Sequence, residues 1–182
     1  MNTECSPSDK QLIEQCRNGD EEAFEKLYYR YRRQLYAYLN GFFPNRTALA
    51  DDIFQQTWLR VLDNIGTYRH RQKFLSWLFR IAHNLATDHW RREARRPVTE
   101  LDDTVPGETD APWEEMDRKD RDRAVQRAIS ELPDAQREVV LLRQRDVSFK
   151  DIADIQQVSI NTVLGRMHYA VRKIQQQLRD WM

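Results

Sequence analysis

The chain has 182 residues, 40% of them hydrophobic, with only five glycines and with 29 basic residues balanced by 29 acidic ones. That length holds one medium domain or two small ones, so few glycines argue for helices over strands, and a formal charge of zero does not by itself point to or away from nucleic acid. Two cysteines, Cys5 and Cys16, with no histidine at ligand-like spacing do not suggest a disulfide scaffold and are too few for a zinc site; they read as ordinary cytosolic thiols.

The first residues lack the basic-then-apolar pattern of a signal peptide, and no apolar run approaches the roughly 20 residues that cross a bilayer, so a cytoplasmic chain without membrane insertion is expected. Ser8 and Gln11 have capping-box spacing, and Leu12, Ile13 and Cys16 give a short amphipathic helix that Asn18 and Gly19 end. Asp20 then caps a longer helix whose apolar positions run from Ala23 and Phe24 through Leu27, Tyr31, Leu35 and Tyr38 to Phe42, before a Gly and a Pro stop it at 41–45. A third helix is expected over about 49–65, with Ile53, Phe54, Trp58, Val61, Leu62 and Ile65 on its inner side and Gly66 as C-cap.

A fourth helix, about 74–96, ends at Pro97. Around it, Lys73, Arg80, Asn84, Arg91 and Arg95 are spaced by 7, 4, 7 and 4, which at about 100° per residue puts them in one basic stripe some 33 Å long. Phe74, Leu78, Ile81, Ala82, Leu85 and His89 fall on the apolar side, with Trp77 on the border. Eight basic residues against Asp88 and Glu93 over 66–96, interleaved with Tyr68, Phe74, Trp77, Phe79 and Trp90, suit a single strand, since cations track the backbone and aromatic faces hold unstacked bases.

Residues 97–120 carry nine acids, three prolines and a glycine, and read as a flexible linker. Lys and Arg exceed acids by 16 to 12 over 1–96 and by 11 to 8 over 121–182, whereas 97–120 hold 2 against 9, so two basic segments flank an acidic one. Beyond the linker, Val125, Ala128, Ile129 and Leu132 mark a helix broken by Pro133, and Val139–Leu142 mark the next. From 148 to 172 the chain reads as a helix-turn-helix: Ser148 and Asp151 open the first helix, Ser159 caps the second, and Val163, Met167, Ala170, Val171, Ile174 and Leu178 form its inner stripe. Thr162, Arg166, Tyr169 and Lys173 then share a side available to DNA. The histidines form no metal pair, because His83 and His89 are six apart.

The residues ALADDIFQQTWLRVLDNI, FLSWLFRIAHNLATDHWRREARR and ELPDAQREVVLLRQRDVSFKDIADIQQVSINTVLGRMHYAVRKIQQQL, in that order, resemble the extracytoplasmic-function class of bacterial sigma-70 factors across nearly the whole chain. The resemblance implies an all-α fold of two small domains: a region-two bundle over 1–96 and a region-four helix-turn-helix over 121–182, joined by the acidic linker 97–120. It implies core RNA polymerase and promoter DNA as partners, with an anti-sigma protein as a further one. Neither a cofactor nor a small-molecule substrate is implied, and no catalytic residue: Asp51 and Asp52 diverge on a helix as adjacent residues must.

By the same resemblance, Asp51, Asp52, Gln55 and Gln56 dock on polymerase. Tyr68 and Arg69 help receive a flipped base of the −10 element, with Lys73, Trp77, Arg80, Asn84, Arg91 and Arg95 along the same strand. The −35 duplex meets Ser159, Asn161, Thr162, Arg166, Tyr169, Arg172 and Lys173. The chain departs from the family at Gln157, where a turn glycine is usual, and at Leu164-Gly165, where Lys-Ser is common. A left-handed Gln157 would cost about 1–2 kcal/mol. Two other readings stay open on the residues alone: a dimeric operator-binding regulator, which needs no basic stripe in its first half, and a protein-only helical scaffold, whose basic faces would ignore DNA.

Overall fold

The computed structural model of the chain describes residues 7–69, 73–95 and 113–179, with side chains in the last stretch described from 121 onward. The expectations for Cys5, Pro97 and the acidic residues before Trp113 fall outside that range. Eight helices and no strand occur among the described residues. The first module comprises α1 (Asp9–Arg17), α2 (Glu21–Phe42), α3 (Thr47–Asn64) and α4 (Phe74–Glu93); the second comprises α5 (Trp113–Ser130), α6 (Asp134–Arg143), α7 (Phe149–Gln156) and α8 (Ile160–Arg179). Helix α5 therefore starts inside the stretch whose composition reads as linker.

The capping residues act as their chemistry dictates. Ser8 and Gln11 form the reciprocal capping box of α1, Gly19 takes the turn after it at φ 84°, and Asp20 accepts from the Ala23 N–H to open α2. Gly66 does not act as a left-handed cap: α3 closes through Ile65 in a right-handed conformation. Pro133 occupies the N-cap of α6, where its missing N–H costs nothing. Helix α2 is the spine of the first module, burying Leu27, Leu35, Tyr38, Leu39 and Phe42 against α1, α3 and α4. Leu62, expected inside, is 49% exposed, and Val171 of α8 is 37% exposed.

The two modules pack against each other, α2 on α6 and α4 on α7. Gly41 makes the first contact close, because a Cβ there would lie 2.7 Å from a methyl of Leu141. The buried Arg137 donates across the interface to the carbonyl of Phe42 at 3.1 Å, satisfying an orphan carbonyl at the end of α2. At the centre of the interface lies Glu138, only 2% exposed, which accepts from the Tyr38 hydroxyl at 2.6 Å and Gln156 Nε2 at 2.7 Å and pairs with His83 Nδ1 at 2.7 Å. Burial, then the Glu138 carboxylate, raises the Tyr38 phenol well above its usual range and keeps it a donor. Asp151, whose side chain could have completed a capping box, instead accepts from Ser76 of α4 at 3.2 Å.

Candidate nucleic-acid and polymerase interfaces

Helix α3 buries Ala50, Ile53, Thr57, Trp58 and Val61 and turns Asp52, Gln55, Leu59, Leu62 and Asp63 outward. Asp51 and Gln56 are half-buried at the edges of that outward face, and Gln56 donates to Asp52 at 2.8 Å. All four residues expected to meet polymerase thus flank one face, and the structure adds Leu59 at 60% and Leu62 at 49% exposure, with Tyr36 of α2 packed edge-on against Phe54 nearby. Their outward position was not readable from apolar spacing, since an apolar residue counts toward an inner stripe until its neighbours are known. Adjacent exposed leucines among carboxylates and amides suit a partner that covers apolar area within a polar rim.

The α3–α4 connection and α4 form an open cleft of about 620 Å³. Its floor is aromatic: Tyr68 lies 4.7 Å from Trp77 and 6.0 Å from Phe74, ring centre to ring centre. Tyr68 is only 4% exposed, and burial, reinforced by the Asp9 carboxylate, raises its phenol to about 12. It shapes the floor, while the half-buried Trp77 presents the more open ring. The walls carry Arg69, Arg80 and Asn84, all exposed, together with Arg60 and Asn64 of α3. Those two α3 residues were not singled out from sequence, because only the tertiary fold brings them opposite α4.

Along α4, Arg80, Asn84 and Arg91 stay exposed in one line; Lys73 sits at the N-cap and Arg95 beyond the end, so the helical part of the stripe is shorter than the spacing suggests. Asn84 and Arg91 also border a second cavity, of about 590 Å³, shared with Glu138, Gln157 and Arg166 of the other module. His89, placed on the apolar side, is half-buried with Nε2 3.9 Å from Glu93.

In the second module Gln157 takes the left-handed conformation, φ 54° and ψ 44°, between α7 and α8. Ser159 accepts from the Thr162 N–H at 3.1 Å and fixes the entry to α8. Asn161, Thr162, Tyr169 and Arg172 are exposed and fall within about 100° of arc. Arg166 and Lys173 lie at the edge of that arc and each bonds to a group of the same module: Arg166, half-buried, donates to Gln156 Oε1 at 2.6 Å, and Lys173, exposed, to the Glu131 carbonyl at 2.9 Å. Among the described residues, no group of acids, histidines and cysteines is arranged to hold a metal ion, and no helix is long and apolar enough to cross a membrane.

A helix-turn-helix module beside a helical module with a cationic, aromatic-floored cleft is the arrangement of a DNA-binding protein. The family model described as Sigma-70 region 2 matches residues 27–96, and that described as Sigma-70, region 4 matches residues 122–174. The chain is similar to the RNA polymerase sigma-H factor of Pseudomonas aeruginosa, with 29% identity over 182 residues and 94% of each chain covered. It is equally similar to the ECF RNA polymerase sigma factor SigW of Bacillus subtilis, 29% identical over 184 residues that cover 94% of this chain and 97% of that one. Its fold matches that of the sigma factor RpoE of Bartonella quintana, solved with the anti-sigma factor NepR, at a TM-score of 0.68 and 20% identity over 86% of this chain and 96% of that one. The chain belongs to the sigma-70 family, in its extracytoplasmic-function class, and is a factor that directs RNA polymerase to promoters.

Proposed function

We propose that each surface carries one part of initiation. The outward face of α3, Asp51, Asp52, Gln55 and Gln56 with Leu59 and Leu62 between them, docks on core RNA polymerase. The cleft beside α4 holds one extruded base of the −10 strand: Trp77 stacks on it over the Tyr68 floor, Arg69, Arg80 and Asn84 contact it and its neighbouring phosphates, and Lys73, Arg91 and Arg95 follow the strand outward. Ser159, Asn161, Thr162, Tyr169 and Arg172 meet the −35 duplex, with Arg166 and Lys173 at the rim. The domains divide at 1–96 and 121–182, with α5 reaching back from the second domain to Trp113. The chain acts in the cytoplasm, supplies no catalysis of its own and is open to capture by an anti-sigma protein.

The observation that carries this reading is the cleft, in which exposed guanidinium groups and an amide surround an aromatic floor. Stacking contributes roughly 1–3 kcal/mol per base, comparable with the few kcal/mol that extrusion costs, so binding alone can hold DNA open. The test is transcription of sheared genomic DNA by core polymerase with and without the chain, with sequencing of RNA 5′ ends. The reading expects chain-dependent starts that share two upstream elements; no chain-dependent starts would overturn it.

A further inference from the structure

The base-receiving cleft depends on a residue outside the region-two match. Arg17, the last residue of α1, reaches across to the α3–α4 connection, where its Nε donates to the Ile65 carbonyl at 3.2 Å and its Nη2 donates to the Tyr68 carbonyl. Its remaining nitrogen, Nη1, donates to Glu14 Oε2 at 3.2 Å, one turn back on the same helix. A planar guanidinium with its donors in a fixed fork can span two carbonyls at once, which a single ammonium cannot do with the same geometry.

Both ends of this clamp are anchored. Leu12 and Ile13 are buried at 0% and 3% exposure and seat α1 against α2, while Arg30 of α2 donates to Asp9 at 2.5 Å and to the Pro7 carbonyl at 2.7 Å. At the other end, Ile65 is the C-cap of α3, whose carbonyl has no partner within its own helix, and Tyr68 is the cleft floor. The backbone between the two held carbonyls carries Thr67, and Arg69 follows directly; both line the cleft.

We infer that Arg17 is a positioning residue for base recognition: by gripping the carbonyls of Ile65 and Tyr68 it holds the cleft floor and Arg69 in the geometry that receives an extruded base. The inference rests on the cleft reading given above. Arg17 is not expected to touch DNA. Its loss leaves the cations of α4 in place, so the nonspecific attraction of the strand persists while discrimination at one base is lost.

The test uses holoenzyme assembled from the full chain and core polymerase. Wild-type holoenzyme selects single strands from a random 12-nucleotide DNA library, and the best-bound strand is compared with copies carrying one abasic site at each position in turn. Wild type should lose about tenfold affinity at one position. Arg17→Ala should bind the intact strand about as weakly as wild type binds that abasic copy, and lose less than twofold more when the base is removed. Arg17→Lys, which keeps the charge and the long stem, should recover less than half of the discrimination on a logarithmic scale. Affinity for core polymerase and the thermal midpoint of Arg17→Lys should match wild type within twofold and a few degrees, separating a positioning role from a folding role. If no abasic position weakens wild type, the cleft reading itself fails and the inference with it; if the abasic penalty persists in both variants, the cleft reading stands and the role of Arg17 is refuted.

Discussion

Gln157 shows what a single backbone position demands. The turn into α8 requires a left-handed residue, and the sequence supplies glutamine where glycine removes the Cβ conflict. Glycine also has more freedom to lose on folding, which offsets part of the gain. Gln157→Gly should therefore stabilise the second module by only about 0.5 kcal/mol, seen as a higher urea midpoint with unchanged slope; a lower midpoint would mean that the glutamine side chain holds something the turn needs. This strain was legible as a departure from the usual turn glycine. Leu59 and Leu62 were not legible, because both are apolar and one falls in an inward-looking register. Replacing both by Asp should weaken core polymerase binding at least tenfold in a fluorescence titration, while thermal unfolding stays within a few degrees, since neither side chain leaves a packed core.

Among the helices, α4 does two jobs with two faces. Phe74, Leu78, Phe79, Ala82 and Ala86 are buried, and the opposite line of Arg80, Asn84 and Arg91 is exposed. The spacing 4, 7 revealed that line because helix geometry alone puts such residues together. The cleft was only half readable: its α4 side follows from periodicity, but Arg60 and Asn64 enter from α3 through a packing angle that periodicity does not encode. Likewise α8 was expected to present Arg166 and Lys173 freely, and both prove to be tied to neighbouring groups on the second module. Arg80→Ala and Arg91→Ala should each lower the salt slope of single-strand binding by about 0.7, as expected for one lost phosphate contact, with little change in −35 duplex binding. A slope unchanged in both variants would remove the stripe from the binding surface.

At the scale of the whole molecule, composition suggested two modules apart and the structure closes them together. Composition could not show this, since Gly41, Tyr38, His83 and Glu138 belong to segments whose local patterns are complete without each other. In the closed form Asn84 and Arg91 share one cavity with Arg166. The −10 and −35 elements lie about 25 base pairs apart by name, or about 85 Å at 3.4 Å per pair, so both cannot be read from this arrangement. Dyes at Lys26→Cys and Lys150→Cys, both exposed, with Cys5 and Cys16 replaced by Ser, should transfer energy strongly in the free chain and weakly in the promoter complex. Gly41→Leu, which places a side chain against Leu141, should lower transfer in the free chain alone. Equal transfer in free and promoter-bound wild type would mean that the modules stay closed.

The central claim, that contacts in the α3–α4 cleft hold a promoter open without chemical energy, is tested most directly by permanganate reactivity of −10 thymines in linear duplex promoter DNA. The promoter is one identified by 5′-end sequencing, and no nucleoside triphosphate is present. Wild-type holoenzyme should make those thymines reactive, while holoenzyme carrying Arg80→Ala with Asn84→Ala should bind the same promoter and leave them protected. Thymines as reactive with the double variant as with wild type would contradict the account.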